Sequence, residues 1–179
     1  MLLINLFTNK IIDFNDFSRK IKTAIWSNDS SLLICGDLDG YIYVFDMKNK
    51  NKPQLIASSQ VLPPAGNNNF LIMSLAITSD NNYILVGGSM AKLLLVNLDN
   101  GYLKIIQDLS ALQSSHVMLV EFDKNNNALS ADYIGKVMIW NLMNTPDGSK
   151  ALAYLSDTTF ASNRLVHASF SSNTNQIIT

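Results

Sequence analysis

Apolar and polar positions come in short bursts along this chain, and the bursts return in the same order. Residues 32–47 read LLICGDLDGYIYVFDM, two apolar runs around a turn of Asp, Leu, Asp and Gly. Residues 83–98, YILVGGSMAKLLLVNL, repeat the pattern without a gap at an offset of about 51 residues. Residues 128–142, ALSADYIGKVMIWNL, repeat it again. Gly36 falls on Gly87, and Gly40 falls on Ala91 and Gly135. Val44, Phe45 and Asp46 fall on Leu95, Val96 and Asn97, then on Ile139, Trp140 and Asn141. A period of this size marks stacked units, none of which buries its apolar faces alone.

The runs are short, rich in β-branched and aromatic residues, and bounded by Asn, Asp, Gly and Ser, so they read as strands. The first copy predicts strands over 22–27, 32–35, 41–47 and 54–58. The second predicts 71–78, 83–86, 92–98 and 103–107, and the third 117–122, 128–130, 137–142 and 151–155. A strand over 1–7 and another from 11 precede them, with Ile4 and Asn5 standing where Phe45 and Asp46 stand later. The chain therefore enters in the third strand of a repeat. Strands over 165–170 and 176–178 begin a fourth copy. Asn100 and Gly101 supply the positive φ of a tight hairpin. The connection 59–69, with Pro63, Pro64 and three Asn, reads as a surface loop, and 109–115 hold one short turn at most.

Several strands are apolar on both faces: LLIC, ILVG, LLLV and VMIW. A strand buried on both sides gives such a continuous run. Parallel sheets achieve this beneath helices, but no stretch here carries a helical period. Antiparallel four-stranded sheets stacked face to face achieve it without helices. The expected fold is all-β, a β-propeller of about four four-stranded blades. Its segments are a partial blade at 1–18, blades at 19–59, 70–108 and 116–156, and a partial blade at 164–179. Three closures stay open: an arc of a larger, seven-bladed ring, a ring of four, or a ring shared by two copies.

Composition narrows the function more than the fold. Of 179 residues 47% are apolar and 15% charged, which fits a folded domain with its own core. Net charge is −1 with no block of like charges, so the basic footprint for nucleic acid or an anionic membrane is missing. Asn, about one residue in nine, carries much of the polarity and clusters at 67–69 and 125–127. Cys35 is alone, which excludes an internal disulfide or cysteine metal site and suits a reducing compartment, the cytoplasm or the nucleus. The start, MLLINLFTNK, is too short an apolar stretch for a secretory leader and lacks its basic segment.

The repeats resemble the WD-repeat family of β-propellers over essentially the whole chain. Ser27, Asn28 and Asp29, and Thr78, Ser79 and Asp80, look like that family's Ser-Pro-Asp turn between first and second strands. Asp39 and Gly40 followed by Val44, Phe45 and Asp46 look like its Asp-Gly…Trp-Asp ending, and Ile139, Trp140, Asn141 is a close variant. The anchors Trp26, Ile77, Phe122 and Phe170 are spaced by 51, 45 and 48 residues, slightly long for the family. The Gly-His pair before the first strand is absent from every copy. Only Asp39 fills the turn-aspartate position, with Met90 and Ile134 in its place elsewhere. The family's buried network of His, Ser or Thr, Trp and Asp is therefore not expected to form as usual. The resemblance implies a rigid, non-catalytic scaffold that docks a protein or peptide, as a subunit of a larger complex.

The residues with chemical potential read as structural. His116 and His167 sit on apolar strands, where a satisfied histidine is expected rather than a base or metal ligand. Asp37, Asp39 and Asp132 lie in hairpin turns, which Asx bonding explains. Gly87 and Gly88 lack the strand–GxGxxG–helix context of a phosphate cradle. Trp26 and Trp140 fit core positions between blades. No catalytic residue, cofactor or metal is expected. The competing class is a propeller hydrolase, lactonase or quinoprotein with a central-channel site, for which Glu121 is the main acidic candidate on an innermost strand.

One face draws attention, because the turns between second and third strands should be polar. They carry Leu38, Met90, Tyr133 and Ile134 instead, beside Val61, Leu62, Pro63 and Pro64 of the first inter-blade connection. Either these side chains fold back on neighbouring blades, or they form an apolar docking patch rimmed by Asp37, Asp39, Asp132 and the Asn run at 67–69. In the second reading Tyr133 is the anchor. The expected partner is a protein or peptide, not nucleic acid directly and not a membrane. A homodimer follows if the ring closes between two copies.

Overall fold

Each repeat folds as a four-stranded antiparallel sheet in sequence order. The structure, a computed structural model, describes residues 2–4, 11–13, 17, 19–49, 52–64, 70–159, 167–171 and 176–178. Two short strands come first, β1 (Leu2–Ile4) and β2 (Ile11–Asp13), paired with each other. Sheet 1 then runs β3 (Ile21–Trp26), β4 (Leu32–Asp37), β5 (Tyr41–Asp46) and β6 (Gln54–Gln60). Sheet 2 runs β7 (Ile72–Ile77), β8 (Tyr83–Gly88), β9 (Leu93–Asp99) and β10 (Tyr102–Asp108). Sheet 3 runs β11 (Val117–Phe122), β12 (Asn127–Asp132), β13 (Lys136–Asn144) and β14 (Lys150–Thr159). A final pair, β15 (Ser169–Phe170) and β16 (Ile177–Ile178), stands where the first two strands of a fourth copy are expected. Among the described residues the helical content is a single 3-10 turn, Ser110–Leu112, within the stretch allowed one short turn.

The result is three complete blades flanked by two half-sheets. The repeat alignment carries over into register: Leu33 faces Phe45, Ile84 faces Val96, and Ala128 faces Trp140. Residues 165 and 166 of the expected fourth-copy strand and the Asn run at 67–69 lie outside the described residues.

Apolar strands on both faces demand a neighbour on both faces, and each junction has its own core. Between sheets 1 and 2 lie Ile34, Val44, Ile72, Leu75, Val86 and Val96. Between sheets 2 and 3 lie Leu85, Leu95, Val117, Val120 and Trp140. Leu33, Phe45 and Met47 on the far face of sheet 1 meet Ile12 and Phe17. Leu129, Ala131 and Val137 on the far face of sheet 3 meet Ala168 and Phe170. Burying a side chain of this size fully contributes roughly 1.5–3 kcal/mol.

Polar staples fix the stacking angle. The Ser74 hydroxyl accepts the Val120 N–H at 3.0 Å across the innermost strands of sheets 2 and 3. Glu121 does the same one junction further on, accepting the Phe170 N–H at 3.0 Å. At the outer edge the Gln107 amide pairs with the Leu152 backbone, accepting its N–H at 2.6 Å and donating to its carbonyl at 3.3 Å.

Two expectations fail at this level. Trp140 is fully buried, but Trp26 is 44% exposed at the end of β3. Trp26 belongs to the alternation that leaves Lys22 and Ala24 exposed, on an innermost strand. Neither histidine lies in a strand: His116 and His167 precede β11 and β15, and both are exposed.

Candidate protein-interaction face

Antiparallel order puts the β4–β5, β8–β9 and β12–β13 turns at one end of the sheets, with the connections that lead into β3, β7 and β11. The two sets are bonded in register. Leu38 N–H donates to the Lys20 carbonyl (3.3 Å), Ser89 to Leu71 (2.9 Å) and Tyr133 to His116 (2.8 Å). Val61 and Leu62 donate to the Gly40 carbonyl, joining the first turn to the next connection. The turns and connections thus form one continuous surface.

Within this surface the aspartates are spent on the backbone. Asp37 is fully buried and accepts the N–H groups of Asp39 (2.9 Å) and Tyr41 (2.8 Å) and the Tyr43 hydroxyl (3.0 Å). Asp132, also fully buried, accepts from Ile134 (3.1 Å), Lys136 (2.9 Å) and Ser114 (3.2 Å). They do not rim a patch, which corrects that expectation. The structural turn aspartate is therefore Asp37 and Asp132, not Asp39. Asp39 lies nearer the surface, paired with Arg19 at 2.6 Å.

The second turn has no aspartate, and Gly88 occupies the position. Met90 and Ala91 both take positive φ, 52° and 61°, and Ala91 stands where the other turns place Gly40 (80°) and Gly135 (91°). Non-glycine residues there cost roughly 1–2 kcal/mol each. Ser89 and His116 hold the turn: the Ser89 hydroxyl accepts the Leu71 N–H (3.0 Å), and Nδ1 of His116 accepts the Met90 N–H (2.7 Å). His116 also lies beside the Tyr133 ring, centroids 6.4 Å apart. It is a bridge between two turns.

The candidate residues divide by exposure. Met90 is 48% and Ile134 is 50% exposed, while Leu38 and Tyr133 are half-buried. Leu112, at the 3-10 turn, adds a further exposed apolar side chain on the same end. The Leu112 carbonyl accepts from the Lys136 ammonium (2.8 Å), which draws this turn to the third hairpin.

A buried polar network underlies the third turn, in a form other than the family's usual one. The Trp140 indole donates to the Ser130 hydroxyl at 3.0 Å, and the Gln113 amide donates to the same oxygen at 3.1 Å. Gln113 comes from the connection into β11, where the WD-repeat pattern has histidine. Sheets 1 and 2 lack the network because Cys35 and Phe45, or Val86 and Val96, stand at the Ser130 and Trp140 positions.

The opposite end of the sheets is polar and self-contained. The Ser27 and Thr78 hydroxyls each donate to the aspartate two residues on, and each accepts a backbone N–H five residues on. Hydrogen bonds from Ser27 and Ser31 hold the Asp29 carboxyl far below its ordinary value. The hydroxyls of Thr145 and Ser149 likewise lower Asp147 to about 2. Burial pushes the Cys35 thiol up to about 12, so it is not a nucleophile at neutral pH. Among the described residues no group of three His, Cys, Asp or Glu is arranged to hold a metal ion.

No protein-family model and no curated protein matches the sequence. Solved structures do match. The chain is similar to "Structure of U3-55K" and to "Crystal structure of RRP9 WD40 repeats", each with a TM-score of 0.66, 14% identity and 86% of this chain covered. It spans 43% of the length of each. Identity this low is a likeness of fold alone. Three stacked four-stranded antiparallel sheets and two half-sheets that superpose on WD40 repeats give this chain the WD-repeat β-propeller fold.

Proposed function

We propose that the chain is a non-catalytic scaffold whose turn-bearing face docks a protein or peptide, as part of a larger complex. The observation that carries this reading is the pairing of exposed apolar tips with inward-turned carboxylates on that face. Met90 and Ile134 stand about half exposed while Asp37 and Asp132 are spent on backbone N–H groups. An apolar centre containing methionine and an aromatic is what a docking surface presents. Tyr133, half-buried between these tips and His116, is the anchor. Burial of the backbone donors leaves side-chain packing as the main source of affinity.

The catalytic alternative loses its best acid, because Glu121 accepts from the Phe170 N–H and the Ser169 hydroxyl at a blade junction. In this proposal residues 19–59, 70–108 and 116–156 are blades of a larger, seven-bladed ring. A ring shared by two copies is the alternative, read from a doubled mass in light scattering. No described helix is long and apolar enough to cross a membrane. A site of action in the cytoplasm or nucleus is part of the same proposal.

The test is the double variant Met90→Asp and Tyr133→Asp, scored by co-purified proteins and by thermal unfolding. The reading expects partner loss with an unfolding midpoint near that of wild type. Unchanged partner recovery with the fold intact contradicts it.

A further inference from the structure

A cavity of about 390 Å³ opens at the outer rim of the same end, between sheets 1 and 2. Its floor is apolar: Val61, Leu62, Phe70 and Leu94, all buried, with Ile105 44% exposed at the side. Pro63 and Pro64 form one wall and have no N–H to satisfy. Lys92, the residue before β9, and Asp108, the last residue of β10, add one charge of each sign to its lining.

The two charges are placed separately. The Lys92 ammonium lies 5.1 Å from the centroid of the Phe70 ring. Asp108 accepts the Ser110 N–H at 2.9 Å. Burial works against its charged form, but the hydrogen bonds from Ser110 and the nearby Lys92 outweigh that and hold its carboxyl below the usual carboxylate range. Among the described residues, Lys92 and Asp108 do not close into a direct ion pair. The lining therefore offers a cationic donor and an anionic acceptor beside apolar side chains.

A residue within an extended peptide has the complementary layout: an N–H and a carbonyl flanking one side chain. Along this wall runs β10, the outer strand of sheet 2, with one edge unpaired within the sheet. Edge strands of this kind accept an extended segment beside them. We infer that this cavity binds one large apolar side chain of an extended peptide, with Lys92 meeting its carbonyl and Asp108 its N–H. The inference adds a specificity site to the docking reading, since the cavity adjoins the same surface through Leu62 and Gly88, where an added Cβ would lie 2.6 Å from Leu62.

The experiment is a methyl-NMR titration of the 179-residue chain with N-acetyl amino-acid amides. N-acetyl-tryptophanamide and N-acetyl-leucinamide are the probes, and N-acetyl-glycinamide is the control. Expected are saturable shifts at the methyls of Val61, Leu62, Leu94 and Ile105, with dissociation constants on the order of millimolar for probes this small. The glycine amide should give none. Ile105→Asp, at an exposed position, should abolish the shifts, and Lys92→Met should weaken binding several-fold. Non-saturable shifts, or equal shifts with the glycine amide, overturn the inference. Saturable shifts confined to Met90 and Ile134 also overturn it, while leaving the docking face itself intact.

Discussion

Gly36 of sheet 1 lies so close to Ile72 of sheet 2 that an added Cβ would sit 2.5 Å from the isoleucine Cγ2. The next copy repeats the contact, with Gly87 against Val117 at 2.9 Å. These aligned glycines bring the innermost strand of each following blade against the preceding sheet. The third copy has Ala131, and the facing cluster contributes Ala168 where earlier copies have Leu75 and Val120. Gly36→Ala should destabilise the chain by about 1–3 kcal/mol, the usual cost of overpacking. Adding Ile72→Val should recover part of it. Urea unfolding measures both, and an unchanged midpoint in Gly36→Ala contradicts the contact.

The strained second turn gives a prediction of opposite sign. Ala91 holds φ of 61° where the other copies have glycine. Ala91→Gly removes an αL penalty and adds a smaller unfolded-state entropy cost, so a net gain of about 0.5–1 kcal/mol is expected. Thermal unfolding at neutral pH checks it. A loss of stability means that the turn is not strained as described.

Ser130 concerns the buried network. Ser130→Ala removes the acceptor of the Trp140 indole and leaves the Gln113 amide only the Met138 sulfur, and should cost about 1–3 kcal/mol. With Trp140→Phe already in place, the same change should cost less, since sheet 1 folds with Cys35 and Phe45 at these positions. Additive costs in the double-mutant cycle would show that Ser130 and Trp140 are not coupled.

Acid should weaken the turns at the opposite end. Asp147 has its value lowered from 3.8 to about 2 by Thr145 and Ser149, and Asp29 is lowered further. A depressed folded value means that the stabilisation is complete above about pH 4 and is lost as pH falls through about 2. Asp147→Asn should flatten the fall of the unfolding midpoint between pH 4 and 2. An identical acid slope in the variant contradicts the assignment.

The strand order was legible because the repeat itself was: apolar runs, glycines and Asn-rich turns recur in phase. The 3-10 turn fell inside the one stretch allowed a helical turn. The turn carboxylate lies two residues before the Asp-Gly pair's own aspartate. The Asp-Gly pair at 39–40 looks like the turn signal, but a carboxylate reaches the N–H groups two and four residues on only from Asp37. Comparing copies one and three at that position, Asp37 with Asp132, was the signal available. Gln113 had no signal, since it lies 17 residues before its partner Ser130 and carries a residue type outside the WD-repeat pattern. Side-chain type and repeat position, in line with Ile77, both point Trp26 to the core, yet it falls on the exposed side of the β3 alternation.

The docking claim is tested most directly by site-specific photocrosslinking in cells. A benzophenone amino acid is placed at Ile134 on the turn-bearing face, and separately at Asn28 in the exposed turn at the opposite end. The expected result is a discrete crosslinked protein from Ile134, lost when Met90→Asp is added, and no such product from Asn28. Equal products from both positions, or a product from Asn28 alone, would contradict the account.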